Sequence, residues 1–209
     1  MSAIDEAAFR VLAARRLHAE APPQHSFSDD DLNPTARMIP ATEQPKPAAV
    51  LVPLVQREDG LNLLLTERQP HLRRHAGQIA FPGGRIDEKD ANAVAAALRE
   101  TEEETGIAPS FVEPIGFLDA YLTSTNYRVV PVVAVLHPGF TVAPQEAEVK
   151  DVFEVPLAFL MDPAHHVLHS RDWQGQTRYY YAMPWQERYI WGATAGMIRN
   201  LYRLMYETP

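Results

Sequence analysis

The chain has 209 residues, of which 46% are apolar and 22% charged, with a formal net charge of −8 and no cysteine. That size suits one domain with an arm, or two very small domains. The lack of cysteine excludes disulfide frameworks, thiolate metal sites, iron–sulfur clusters and cysteine nucleophiles, and it fits a reducing cytoplasm. The acidic balance weighs against a nucleic-acid partner, whose phosphates call for a basic surface. It suits carboxylates gathered around a cation. The longest apolar runs, residues 48–55 and 129–136, contain proline and fall short of the ~20 residues a membrane helix needs. The N-terminus is amphipathic and mixed in charge, so neither a signal peptide nor a membrane partner is expected.

In chain order, residues 4–18 predict a short amphipathic helix, with Ile4, Ala8, Val11 and Leu12 on one side and Phe9 at its edge. Residues 21–47 carry prolines at 22, 23, 34, 40, 45 and 47, which excludes helix and central strand. Residues 1–46 are read as an arm that packs on the main domain or on a partner chain, or as a partly ordered tail. Residues 48–55 predict a buried strand, Asp59-Gly60 a hairpin turn and 61–66 the returning strand. A short strand is expected over 78–81, stopped by Pro82-Gly83-Gly84, and a clear helix over 92–105. Strands follow at 112–118, 128–136 and 151–155, the second nearly all valine and suited to a sheet centre. A turn of helix is expected at 157–160. A hairpin spans 167–171 and 177–183 around Trp173-Gln174-Gly175. The terminal helix, 192–206, places Met197, Ile198, Leu201, Leu204 and Met205 at core spacing. Strands with one central and one terminal helix predict a mixed sheet between helices, an α/β architecture.

The most informative segment is Arg99-Glu100-Thr101-Glu102-Glu103-Glu104-Thr105-Gly106. At about 100° per residue, Glu100, Glu103 and Glu104 share roughly one third of the helix circumference, while Glu102 points away. Carboxylates at this spacing repel one another, and they sit near a helix C-terminus, where the macrodipole disfavours anions. Divalent cations relieve both costs, and hard oxygen donors suit magnesium or manganese better than zinc. Val94, Leu98 and Thr101 form a separate stripe for the core. Ala93, Ala96 and Ala97 continue the acidic face and leave room for a ligand. Gly106 is placed to be the left-handed cap. Before the helix, two glycines allow close approach of backbone to a ligand. Asp90 is read as an N-cap that also joins the acidic group or orders the loop, and Arg99 pairs with a carboxylate to hold the loop over the helix. An acidic helix with no such glycines before it reads more simply as a solvated face.

Gly84, Asp90, Arg99-Glu100, Glu103-Glu104 and Gly106 resemble the signature of Nudix hydrolases. Asp90 stands for the usual Glu, the spacing from it to Arg99 is one residue longer than the common form, and Thr101 replaces an aliphatic residue. Leu64-Leu65-Thr66-Glu67-Arg68, Arg73, Gly77 and Phe81-Pro82-Gly83-Gly84 are similar to the extra motif of the coenzyme A pyrophosphatase branch, in which the longer spacing is normal. Gln69 stands where that motif usually has Ser. The likeness continues through Glu148-Val149, Phe153-Glu154-Val155-Pro156 and 190–194.

The resemblance implies an α/β/α sandwich with a mixed central β-sheet over residues 47–209, preceded by the N-terminal arm, and hydrolysis of a nucleoside diphosphate linked to another moiety. It implies metal ligands Glu100, Glu103 and Glu104 for Mg²⁺ or Mn²⁺, and a small-molecule substrate of the coenzyme A class. Glu100 and Glu104, one turn apart, are expected to share a cation. Glu103, Glu148 and Arg99 are the candidate catalytic residues. The base is left open between a helix Glu and an acidic residue of the loop 145–151, where Glu146, Glu148 and Asp151 compete and Glu148 matches the resemblance. Arg68, Arg73, Gly83 and Gly84 are the candidate substrate contacts, because arginine pairs its N–H donors with phosphate; Arg74 and His75 are read as solvated. Other nucleoside diphosphate derivatives (ADP-ribose, NADH, dinucleoside polyphosphates) and a non-catalytic nucleotide-binding module are the alternatives. His165 and His166 read as ordinary loop histidines, and Tyr179-Tyr180-Tyr181 as sheet packing or a homodimer surface.

Overall fold

The computed structural model describes residues 3–35, 38, 43–72 and 75–207. Expected elements recur with shifted ends. Helix α1 spans Glu6–Arg16, capped by Asp5, whose side chain accepts the Ala8 N–H. Its inward face differs from the expected one. Phe9 is 1% exposed and Ala13 is buried beside it, whereas Val11 is 60% exposed. Ile4 and Leu12 of the expected side still pack against the same core, while Ala8 and Val11 face outward, so the inward face is turned toward Phe9.

The order after α1 is β1 (His25–Ser28), β2 (Lys46–Arg57), β3 (Gly60–Arg68), β4 (Ile79–Ala80), β5 (Gly83–Arg85), α2 (Ala93–Thr105), β6 (Val112–Phe117), β7 (Ala120–Leu122), β8 (Tyr127–Leu136), β9 (Val149–Pro156), α3 (Leu157–Leu160), β10 (Val167–Trp173), β11 (Gln176–Trp185), β12 (Arg188–Trp191) and α4 (Ala193–Tyr206). The central sheet runs β1-β7-β8-β2-β3-β4, with β5 on β2, β6 on β8 and β9 on β3. It is mixed, because β8 runs parallel to β2 from Lys46↔Tyr127 to Val55↔Leu136 while β3 returns antiparallel. The valine-rich β8 therefore does lie inside the sheet. Strands β1, β5, β7 and β12 are short and carry no alternating pattern that would announce them. Lys46 and Pro47, assigned above to the proline-rich segment, open β2.

Period-two alternation distributes side chains between two cores. Leu63, Leu65, Val133 and Val135 face Phe9, Leu157, Leu160, Ile198 and Leu201, so α1, α3 and α4 lie on one side. Leu64, Val130, Val132 and Ala134 face Ala93, Ala96 and Ala97, so α2 lies alone on the other. The three α2 alanines are thus packed against the sheet, and the open space expected above them is filled. Small side chains bring the helix close to β2 and β5, which positions the acidic residues that follow. A separate antiparallel sheet, β10-β11-β12, adds Met183 and Ile190 to the α4 side. There Tyr181 lies under the Arg199 guanidinium, Tyr180 meets Trp191 edge-on and Tyr179 is exposed. His165 stacks on Phe159, and His166 meets the Leu160 carbonyl at 2.7 Å.

Candidate active site

The site begins where β5 passes beneath α2. Gly83 and Gly84 pair with Val50 and Ala49 of β2. A Cβ on Gly83 would lie 2.5 Å from the Ala49 carbonyl oxygen, and a Cβ on Gly84 would lie 2.5 Å from the Glu100 carboxyl carbon. Both glycines are needed for approach, the first to the sheet and the second to the helix. The Gly83 N–H donates to Glu104 Oε2 at 3.1 Å. The helix ends at Gly106 with φ 74°, its N–H donating to the Glu102 carbonyl at 2.9 Å. Asn92, not Asp90, caps its start by accepting the Ala95 N–H. Asn is among the residues that favour an N-cap, so the residue type at 92 carried the signal.

Asp90 instead receives Arg99 in a two-pronged contact, Nε to Oδ1 at 3.0 Å and Nη2 to Oδ2 at 2.8 Å. Arg99 also donates to the Arg85 carbonyl at 3.2 Å, to Glu100 Oε1 at 2.9 Å and to Glu103 Oε2 at 3.1 Å. One guanidinium thus ties the loop after β5 to two helix carboxylates, the clamp expected of it. Its hydrogen bonds, with the Asp87 N–H, hold the Asp90 carboxyl at about 2. Thr101 is buried, and its hydroxyl donates to the Ala97 carbonyl at 2.7 Å. It closes its own polar group within the helix and so serves where an aliphatic residue is usual.

Glu104 is only 6% exposed. Burial pushes its carboxyl up to about 7, against the opposing pull of the Gly83 N–H and the Arg68 charge. Glu100 is raised as well, by burial first, with Arg99 opposing. Arg68, at the end of β3, reaches Glu104 Oε1 at 3.4 Å and Glu148 Oε2 at 3.7 Å. Its Nε is buried and finds no partner among the described residues. The loop carrying Glu148 is fastened to α2: Ala143 and Gln145 donate their N–H groups to the Thr105 and Glu104 carbonyls at 2.7 and 3.0 Å, satisfying acceptors a helix end leaves open. Gln69 secures the loop from β3, its Nε2 donating to the Glu146 carbonyl at 2.8 Å and its N–H to that of Glu148 at 2.8 Å. The longer side chain at this position has a use that its sequence context did not show.

The structure thus brings together Arg68, Gly83, Gly84, Arg99, Glu100, Glu103, Glu104 and Glu148. Asp151 is turned to Arg188, which also holds Glu67 at 2.6 Å, so it joins a different cluster. Arg73 and Arg74 lie outside the described residues. Among the described residues no three acidic or histidine side chains converge as a ready cation cluster; Arg99 contacts Glu100 and Glu103, and Arg68 contacts Glu104. The donor set nevertheless fits a hard divalent ion: three carboxylates from one helix face, two with ionisation disfavoured by burial, packed on a glycine that leaves room for Glu100.

The NUDIX domain family matches residues 45–180. The uncharacterized Nudix hydrolase NudL of Escherichia coli K12 / DH10B is 47% identical over 156 residues, covering 74% of this chain and 80% of that protein. The chain belongs to the Nudix family. Its Shigella flexneri relative, also named NudL, is 46% identical over 164 residues, covering 78% and 84%. A Caenorhabditis elegans Ap4A hydrolase structure aligns over 53% of this chain and 80% of its own, at 21% identity and a TM-score of 0.47. As a Nudix hydrolase, this chain is a pyrophosphohydrolase, and its family works with divalent metal ions. No helix among the described residues is long and apolar enough to cross a membrane.

Proposed function

We propose that this Nudix hydrolase cleaves the diphosphate linkage of coenzyme A or an acyl derivative, giving 3′,5′-ADP and 4′-phosphopantetheine or its acyl form, with Mg²⁺ or Mn²⁺. The observation that carries the reading is the meeting of two motifs. Arg68 of the Leu64–Arg68 segment stands against Glu104 of the acidic helix, 3.4 Å away, with Gly83 of the Phe81–Gly84 segment on its other oxygen. In this reading residues 47–209 are the hydrolase domain and 1–46 its arm, working in the cytoplasm on a small nucleotide substrate without nucleic-acid or membrane partners.

Each residue has a role that follows from its surroundings. Glu100, Glu103 and Glu104 would hold the metal, which when bound neutralises diphosphate charge and lowers the pKa of a water. Arg99 is a positioning residue, since its contacts among the described residues are to the loop and to Glu100 and Glu103. Glu148, 51% exposed on its side chain and fastened through Gln69 and Gln145, is the candidate general base, with Glu103 the helix alternative. Arg68 offers N–H donors to a phosphoryl oxygen, while Gly83 holds Glu104 through its N–H and Gly84 leaves room for Glu100 beside the bound group. Arg73, from the same motif, is assigned with it to the substrate. Positioning and electrostatics supply most of the rate, as is usual at phosphorus centres.

The test is incubation with coenzyme A and Mg²⁺ or Mn²⁺, with products identified by mass spectrometry. 3′,5′-ADP and phosphopantetheine are the expected pair. Intact coenzyme A under conditions where ADP-ribose, NADH or a dinucleoside polyphosphate is cut would reject the substrate and keep the hydrolase.

A further inference from the structure

The tip of the loop between β8 and β9, residues 145–148, is exposed throughout, and the first buried side chain after it is Val149. Apolar packing therefore does not fix where Glu148 stands. A segment with so few buried contacts opens readily unless hydrogen bonds hold it.

Two glutamines supply those bonds. Gln145 folds the loop back on itself. Its carbonyl accepts the Glu148 and Val149 N–H groups at 2.9 Å each, and its side-chain Oε1 accepts the Glu148 N–H at 3.0 Å. Its own N–H donates to the Glu104 carbonyl at 3.0 Å, which ties this turn to the end of α2. Gln69 approaches from the other side. The β3–β9 ladder ends with Arg68 opposite Val149, after a shift in register. Gln69 continues it, its N–H donating to the Glu148 carbonyl at 2.8 Å, and its Nε2 reaches further to donate to the Glu146 carbonyl at 2.8 Å. Both backbone polar groups of Glu148 are thus held by glutamines, while Arg68, next to Gln69 in sequence, faces the Glu148 carboxylate at 3.7 Å. Glu104 and Glu148 already bring two carboxylates to this corner. Amides donate and accept there without adding charge.

We propose that the Gln69 and Gln145 side chains are positioning residues for the hydrolysis, bracing Glu148 from opposite sides. The proposal rests on the reading of Glu148 as general base. The two amides are not equivalent. Gln69 works through its Nε2 donor and Gln145 through its Oε1 acceptor. Glutamate at 145 therefore keeps the working atom, whereas glutamate at 69 loses it.

Steady-state kcat and KM with Mg²⁺, on whichever of coenzyme A, ADP-ribose, NADH or a dinucleoside polyphosphate is cut, test this in single variants and in the Glu148→Gln background. Gln69→Ala and Gln145→Ala are each expected to lower kcat about tenfold with KM within about threefold, the pattern of an interaction that acts in the transition state. In the Glu148→Gln background the same substitutions should cost less than about twofold, because the group they position no longer acts. Gln145→Glu is expected to recover part of the kcat lost in Gln145→Ala, and Gln69→Glu to be no better than Gln69→Ala. If Glu148→Gln alone leaves kcat unchanged, the general-base reading fails and the brace fails with it. If Glu148→Gln is impaired, three results overturn the brace alone: unchanged kcat in both alanine variants, losses that add in full to that of Glu148→Gln, or a Gln145→Glu variant no better than Gln145→Ala.

Discussion

Glu104→Gln is expected to stabilise the metal-free chain at pH 8 while ending turnover. The folded carboxyl titrates at about 7 rather than 4.5 because it is buried. Each pKa unit is worth about 1.4 kcal/mol, so ionising Glu104 in the folded state costs roughly 3 kcal/mol more than in the unfolded chain. The folded state binds the proton more tightly, so this group's contribution to stability is most favourable below pH about 4.5. It declines as pH rises and levels off above about 7. Glutamine carries no charge and keeps one acceptor for the Gly83 N–H. The pull of Arg68 on the carboxylate, 3.4 Å away, is already contained in the folded value of about 7. The expected gain is therefore about 3 kcal/mol at pH 8, disappearing at pH 4.5. Urea unfolding in EDTA at the two pH values measures it. Excess Mn²⁺ should remove the gain, because the ion stabilises only the carboxylate form. A variant less stable than the parent at pH 8 without metal would refute the argument that burial strains this carboxylate.

Gly84→Ala places a methyl 2.5 Å from the Glu100 carboxyl carbon; calorimetry should show Mn²⁺ affinity falling by about tenfold or more, with the circular dichroism spectrum retained. Glu148→Gln is expected to lower kcat by about 10²-fold or more, the scale of lost general-base catalysis, whereas Asp151→Asn, paired away with Arg188, should leave kcat within a few-fold under steady-state assay. Phe9→Ala removes a ring that is 1% exposed in the core and should cost about 3–5 kcal/mol in urea unfolding. No change would mean that α1 is a detachable tail.

The acidic helix was legible because its carboxylates follow one another along a single element, where the helical period alone says which share a face. The same holds for Gly106, whose left-handed cap is local. The error at Ala93, Ala96 and Ala97 has a common cause with the error at Val11: a period locates a face but not what lies opposite. Small side chains beside an acidic face read as open space, yet they let α2 settle onto β2 and β5. The cap fell to Asn92 and left Asp90 to order the loop for a similar reason. Both suit a helix start, and the choice rests on where Arg99 arrives.

The order of residues was enough to expect a mixed sheet between helices and to put Glu100, Glu103 and Glu104 on one helix face, since hydrophobic alternation, helical period and turn chemistry act over a few neighbouring positions; the Arg68 and glycine motifs were legible through the family resemblance. Folding in three dimensions was needed to deliver Arg68 to Glu104 and Glu148, to fasten the Glu148 loop onto the end of α2 and to send Asp151 to Arg188. Those pairings join segments far apart in the chain. Burial and close approach, which set charge costs and choose partners, exist only once the segments have met.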